Sequence, residues 1–450
     1  MRELILTLVI PAALLWALTS GRRAVLVLVW ICFQRPQDFS YGFWASAPTF
    51  QLALLVALFS NFYHGTLKFR FPPLLVVYLV LFAWLTLSTA FAFDSAHAWE
   101  FYRGFVPSLV AMPVVLLATV RDLDLLKKVI WVAAGSVAVN AAKAGVSLTL
   151  GGGAHITQQI SGFVGDNNVF GLVLCVVVGV VFGMRKTIPQ KWWATLALYG
   201  ALGANLICII YTKSRGALLT LAMIAFVSSL KGGKFFKSMG VILLLVGIGA
   251  MLVPAEYFDR MSTLKDVSAD ESAMGRVENW GLAWNEALEH PLFGVGPDNH
   301  ILYNRAKGAE VQLRVAHSVY FQTLGELGFP ALFLYLTFIL MSIAAVHRAW
   351  RSTIVIAHRH PDLVWVRDVS FWMMCSFVGY VFGAAFLNMF YIEFPWTAMF
   401  LGSLILPMVQ QEVAARAKEQ PEGPGNRSEE PQVKRPAGYP RPLPVHRGRS

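Results

Sequence analysis

Residues 254–330 read PAEYFDRMSTLKDVSADESAMGRVENWGLAWNEALEHPLFGVGPDNHILYNRAKGAEVQLRVAHSVYFQTLGELGFP. This is the one long polar interval in a chain otherwise made of apolar segments. The contrast decides the fold class. The 450 residues are 56% hydrophobic and only 14% charged, with a mean hydropathy of +0.57, whereas a soluble domain carries about 25% charged residues. Apolar runs of roughly 17–25 residues recur, the length that crosses hydrocarbon as a helix. Backbone facing lipid must satisfy its own hydrogen bonds, so these runs must be helices. The expected fold is an all-α, polytopic membrane helix bundle with one large loop, 255–316, containing short helices.

Working outward, apolar segments fall near 4–20, 24–33, 45–63, 72–93, 104–120, 126–150, 167–184, 192–210, 216–230, 236–254, 318–346, 367–389 and 393–409. The second is too short to span unless it runs on toward Phe43, and the first two would form a tight hairpin. The expected total is about 12–14 spans. The tail from about Gln410 is rich in Pro, Gly, Glu and Arg. It buries too little apolar area to offset its ordering entropy and reads as disordered. The domain reading is a membrane domain over 1–409 and a cytoplasmic tail over 410–450.

The net charge of +11 invites a nucleic-acid partner, but its placement excludes one. Lys68 and Arg70, then Arg121, Lys127 and Lys128, then Arg185, Lys186 and Lys191, then Lys231, Lys234 and Lys237, then the stretch from His347 to Arg367 form basic turns. Between them lie neutral or mixed turns at 94–103, 151–166, 211–215, 255–316 and 390–395. Basic turns mark the cytoplasmic side, so the long loop is expected outside. The N-terminal segment shows no convincing cleavage site and reads as a retained span. Cys32, Cys175, Cys208 and Cys375 lie in apolar runs without metal-ligand spacing. No Walker, HExxH, GxSxG or paired-Cys motif occurs, and no acidic pair stands out as a divalent-metal site. No metal and no cofactor are expected.

Three places carry candidate chemistry. In YTKSRGALLTLA, Ser214 is a plausible N-cap and Arg215 opens a helix at the membrane boundary. Helix N-termini attract anions, and a guanidinium grips phosphate oxygens bidentately. Lys213 sits beside it. Interfacial snorkelling explains most such arginines, but this one stands on the side where the positive-inside bias disfavours it. In GRVENWGLAWNEALEHPLFGVG, Val277, Trp280, Trp284 and Leu288 form one helical stripe, beginning at Arg276 and ending in a His-Pro break. That stripe suits a helix lying on the membrane or roofing a cavity. Its tryptophans suit interface anchoring more often than sugar stacking. In AHSVYFQTLGELGFPALFLYL, His317 stands where the chain re-enters the membrane, with Tyr320 on the same face. A helix N-terminus disfavours imidazolium, so His317 should stay neutral and able to accept a proton. Glu326, deeper in the segment, needs a partner, and would pair with an arginine or hold the helix in place. Lys143 and Arg103 would add cations to a pyrophosphate site or simply snorkel. Asp166, Asn167 and Asn168 would bind sugar hydroxyls or, the commoner role, cap the helix starting near Val169.

The segments SRGALLTLA (214–222), RVENWGLAWNEALEHPLFGVGPDN (276–299) and HSVYFQTLGELGFPALFL (317–334), in this order around one outer loop, resemble the O-antigen ligase and polymerase superfamily of bacterial membrane glycosyltransferases. The likeness covers the span layout, including RPQDFSYGF (35–43), and is greatest to the O-glycosylation ligases associated with exosortase A systems. The resemblance implies a GT-C-type, metal-independent, inverting transfer of a glycan from undecaprenyl pyrophosphate to an acceptor hydroxyl, in the bacterial inner membrane with the site facing the periplasm. It implies that Arg215, Arg276 and His317 are the essential residues. The arginines would hold the pyrophosphate, with Lys213, Lys143 and Arg103 as further cations, and His317 would activate or orient the acceptor. Tyr320, Trp280, Trp284 and Asn168 are the candidates for acceptor or sugar contact, and Glu326 is a structural acid. The acceptor (protein, lipid or growing glycan) stays open, as do a repeat polymerase and, from another class, a lipid-linked glycan transporter. The partners expected are the lipid-linked donor, the acceptor and membrane lipids.

Overall fold

The computed structural model describes residues 2–151, 166–230, 271–309 and 313–419. The expected span at 236–254, the turn with Lys231, Lys234 and Lys237, parts of the loops at 152–165 and 255–270, and the tail beyond 419 lie outside the described residues. Among those described there are helices and no strand, as the apolar runs require. The main helices are α1 (Arg2–Leu18), α2 (Gly21–Gln34), α3 (Thr49–Tyr63), α4 (Pro73–Ala90), α5 (Ser95–Val106), α6 (Met112–Thr119), α7 (Leu123–Gly151), α8 (Asn167–Gly183), α9 (Trp192–Tyr211) and α10 (Arg215–Ser229). They continue with α11 (Glu271–Glu289), α12 (His300–Ala306), α13 (Val319–Arg359), α14 (Val364–Ala384) and α15 (Glu393–Glu419).

Six of the described helices are long and apolar enough to cross a membrane, and the bent pair 95–105 and 108–119 would make a seventh. The expectation of about 12–14 crossings is therefore not met by length and composition alone. Part of the reason is that α1, α2, α3 and α10 have only 17, 14, 15 and 15 residues, about 21–26 Å at 1.5 Å per residue, short of the ~30 Å hydrocarbon thickness, and that the expected span at 236–254 lies outside the described residues. The first two helices do form a hairpin. Glu3 bonds the hydroxyl of Ser40 and the amide of Trp44 at one end, and Ser60 donates to the Ala17 carbonyl at the other. The left-handed Arg35 ends α2 (φ 45°), so this helix does not run on toward Phe43.

Three boundaries differ from the sequence reading. The interval 94–103 is not a turn. Asp94 accepts from the His97 amide at 3.0 Å, and that cap starts α5. The segment expected at 318–346 runs on to Arg359, through residues read as a basic turn. The last helix continues past Gln410 to Glu419, where Arg416 pairs with Asp362 in the turn between α13 and α14 and with Glu412 one helical turn back.

One aromatic cluster joins α4, α13 and α15. The Tyr78 ring lies 4.9 Å from Phe400 and 5.3 Å from Trp396, and Phe338 lies 4.9 Å from Trp396. Elsewhere small residues let backbones approach, as membrane helices require. An added Cβ at Gly179 of α8 would lie 2.0 Å from the Ser376 hydroxyl on α14, and one at Gly383 would lie 1.9 Å from Thr220 of α10.

The bundle has two chemically different ends. At one, Arg22 pairs with Asp122 and Asp124, Lys128 with Asp124, Arg185 with Asp368, and Arg416 with Asp362. This is the basic end. At the other, Arg35 pairs with Glu393 and His97 with Asp298, the start of α13 meets α11, and the start of α10 meets the turn after α14.

That polar segment docks through main-chain bonds that the sequence explains. Gly328 interrupts α13 at φ 82°, ψ 177°, a conformation essentially limited to glycine. Pro330 has no N–H, so the Glu326 carbonyl loses its helical donor. The Phe329 amide donates instead to Pro291 O at 3.0 Å, which frees the Gly325 carbonyl. Both carbonyls are taken up by the turn after α11. The Val295 amide donates to Gly325 O at 2.9 Å and the Gly296 amide to Glu326 O at 2.9 Å. From α4, Ser88 donates to Phe293 O at 2.6 Å and to Glu326 O at 3.1 Å, and the Trp84 indole donates to Leu292 O at 3.1 Å and to Leu327 O at 3.2 Å. A broken membrane helix is tolerated only where other groups satisfy its freed backbone. Here HPLFGVG satisfies it, and α11 is fixed in place as a result.

Candidate active site at the non-basic end

Ser214 caps α10. Its hydroxyl accepts from the Ala217 amide at 3.2 Å, and Thr212 accepts from the Ser214 amide at 3.3 Å. Lys213 before it is exposed and left-handed (φ 54°). Arg215 is thus the first residue of α10, half-buried. The adjoining Gly216 faces Phe386 and Leu387 in the turn after α14.

That same turn positions His317. Asn388 accepts from the Ser318 amide at 3.2 Å. Ser318 is the N-cap residue of α13, so His317 lies one residue outside the helix, with φ 46°. Trp280 of α11 braces the approach. Its indole donates to Ala316 O at 2.7 Å, its ring stacks on Phe321 at 5.2 Å, and it reaches Phe386 at 6.4 Å. Asn279, fully buried beside it, accepts from the Arg314 amide at 3.1 Å and donates to Gly275 O at 2.6 Å. These bonds tie the residues leading into His317 to the first turns of α11, where Arg276 sits.

The electrostatics follow from this arrangement. Burial holds the His317 imidazole below the usual histidine range, the Arg276 and Arg314 guanidinium groups push it further down, and Asp166 opposes them. Burial and the two arginines thus favour the neutral imidazole, where the sequence reading looks to the helix N-terminus for that effect. Asp166 is at the same time the N-cap of α8, accepting from the amides of Asn168 at 2.7 Å and Val169 at 3.0 Å. The helix begins at Asn167, two residues before the expected start.

The structure therefore brings Arg276, His317 and Asp166 together. It sets Gly216, the residue after Arg215, against the 386–388 turn that Trp280 and Ser318 also touch. The other candidates have surroundings of their own. Lys143 lies over the Phe39 ring at 4.7 Å. Arg103 is exposed on α5. The Tyr320 hydroxyl donates to Val381 O at 2.6 Å. Trp284 is 46% exposed and meets Phe329 edge-on at 6.0 Å. Glu326 finds a tyrosine and not an arginine, since Tyr391 donates to its carboxylate at 2.8 Å.

Arg314, Asn279 and Asn388 were not singled out from the sequence. Arg314 had a signal, as an arginine three residues before His317 on the side expected to disfavour positive charge. The asparagines had none, because their role is to accept single backbone bonds across long sequence separations.

Two family models match the chain. Residues 200–336 match the O-antigen ligase family, and residues 1–195 match a family of unknown function. No curated protein is significantly similar to the chain. The first match begins in α9, ends in α13, and contains Arg215, Arg276, Arg314 and His317. Over residues 200–336, which supply these four side chains, the chain is thus similar to the O-antigen ligases, and this supports a place in the O-antigen ligase and polymerase superfamily.

Proposed function

We propose that this protein transfers a glycan from undecaprenyl pyrophosphate to an acceptor hydroxyl, with Arg215, Arg276 and His317 as its working residues. The observation that carries the reading is the placement of His317, half-buried and within electrostatic reach of Arg276, in the segment similar to O-antigen ligases. In the reaction the sugar's anomeric carbon breaks its bond to the pyrophosphate oxygen and forms one to the acceptor oxygen, with inversion. The acceptor proton passes to His317, and the electron pair leaves with the pyrophosphate. Arginines aimed at the departing oxygens stabilise charge that appears only as the bond breaks. General-base help adds about 10²–10⁴-fold. Arg314, which also acts on His317, is a further cation for the same anion. The distribution of basic turns supports a periplasmic site in a bacterial inner membrane. The resemblance to exosortase-associated ligases favours a protein or exopolysaccharide acceptor.

The test is transfer by purified protein from a defined polyprenyl-pyrophosphate glycan, with chelator present. A single glycan attached per acceptor supports ligation. A ladder of repeats identifies a polymerase of the same superfamily. Movement of the donor across vesicles without cleavage of the pyrophosphate bond identifies a transporter and overturns the proposal.

A further inference from the structure

The surface of α11 divides lengthwise into three sectors. At ~100° per residue, the buried sector holds Asn279, Ala283, Glu286 and Ala287, at 0–1% exposure. It packs toward α13, where Gly325 faces Ala283 and Glu286, and toward α12, where His300 Nδ1 lies 2.6 Å from Glu286. The two remaining sectors are both exposed but chemically opposite. One carries Val277, Trp284 and Leu288, at 52%, 46% and 57% exposure. The other carries Glu278, Asn285 and Glu289.

The exposed apolar sector continues into a second apolar surface. Trp284 meets Phe329, and Phe329 begins the part of α13 beyond the Gly328 break. From there Phe329, Phe333, Leu336 and Leu340 are 38%, 70%, 38% and 66% exposed, on a helix long and apolar enough to span a bilayer. The outward side chains of such a span face acyl chains. Leu292, at 57% exposure just after α11, extends the same surface.

From this continuity we infer that α11 is an interfacial helix. It lies along the bilayer surface at the non-basic end, with Val277, Trp284 and Leu288 in the acyl boundary and Glu278, Asn285 and Glu289 in water. An apolar sector beside a polar one, with a tryptophan in the apolar sector, is how a helix binds a membrane interface. The occupant of the apolar sector is bilayer lipid. Immersion to this depth keeps Arg276, on the same helix, at the level of lipid phosphates. This consequence rests on the glycan-transfer reading, since that is where the pyrophosphate of a membrane-bound donor must sit. The immersion itself does not depend on that reading.

The experiment is spin labelling of the full-length protein in phosphatidylethanolamine/phosphatidylglycerol nanodiscs. Labels are introduced by V277C, L288C, E278C and N285C, one at a time. The native cysteines are 0–5% exposed, so the new thiol is the reactive one. The expected result is that oxygen, concentrated in the acyl region, relaxes labels at 277 and 288 more than a water-soluble nickel chelate does, and that the order reverses at 278 and 285. Gly281→Cys, also exposed on the apolar side, serves if either apolar replacement fails to accumulate. Preference for the chelate at all sites would place the helix in water and overturn the inference. Protection from both reagents at all sites would mean that protein covers the sector and would equally overturn it. Neither outcome bears on transfer activity.

Discussion

Asn388 accepts a 3.2 Å hydrogen bond from the backbone amide of Ser318. This one bond links the turn beside Gly216, the residue after Arg215, to the residue that follows His317. Asn388→Ala is expected to lower the transfer rate while protein still accumulates in the membrane. Asn388→Asp, which keeps the accepting oxygen, should restore most of the rate. The split between turnover and accumulation distinguishes positioning from folding. Equal loss in both variants would remove the assigned role.

Arg314 and Asp166 act on His317 in opposite directions, and this fixes the sign of two pH effects. The depressed value means the folded protein favours neutral imidazole. That contribution to stability is fully present above the unfolded value of about 6.5 and is lost as pH falls below it. The acid limb of the rate profile should accordingly lie below the usual histidine range. Arg314→Gln removes a depressing charge and should move that limb to higher pH. Asp166→Asn keeps a capping side chain but removes the opposing charge, and should move it to lower pH. The pH dependence of kcat/KM in the three proteins checks both shifts.

Gly328→Ala tests how the outer segment is held. Its backbone conformation excludes other residues, and the added Cβ would lie 2.3 Å from the Leu292 carbonyl oxygen. A destabilisation of at least about 1–3 kcal/mol follows from the backbone term alone. It should appear as a lower thermal midpoint in detergent and as proteolytic release near residues 290–296. An unchanged midpoint would mean that HPLFGVG is not held by this break.

Tyr391→Phe removes the donor to the Glu326 carboxylate and leaves a buried acid short of a partner, a loss of about 1–3 kcal/mol. Glu326→Gln keeps an accepting oxygen for Tyr391 and should cost less. Detergent melting of the two variants gives the order. A greater loss in Glu326→Gln would show that the carboxylate's charge, and not its hydrogen bond, is what the fold needs.

The fold class was legible because runs such as 72–93 and 192–210 are too apolar for anything but a membrane helix. The capping role of Ser214 was legible for a similarly local reason, since one side chain decides it. His317 could be expected to be neutral, but not why, because its burial and its neighbours Arg276, Arg314 and Asp166 come from distant parts of the chain. The role of HPLFGVG was hidden for the same reason. It reads as a turn, and only the carbonyls freed by Gly328 and Pro330 make it a docking element. Short helices such as α2 and α10 escaped a length rule because hydropathy marks where apolar residues lie and says nothing of tilt.

In the proposed reaction Arg276 and His317 act on a pyrophosphate-linked sugar. The most direct measurement is single-turnover release of free polyprenyl pyrophosphate, with matching glycosylated acceptor, by purified wild type, Arg276→Ala and His317→Ala in vesicles of one composition. Stoichiometric release is expected from the wild type and a loss of at least about 100-fold in each variant, with donor binding weakened chiefly in Arg276→Ala. Release at the wild-type rate by either variant, from protein that is folded and membrane-inserted, would contradict it.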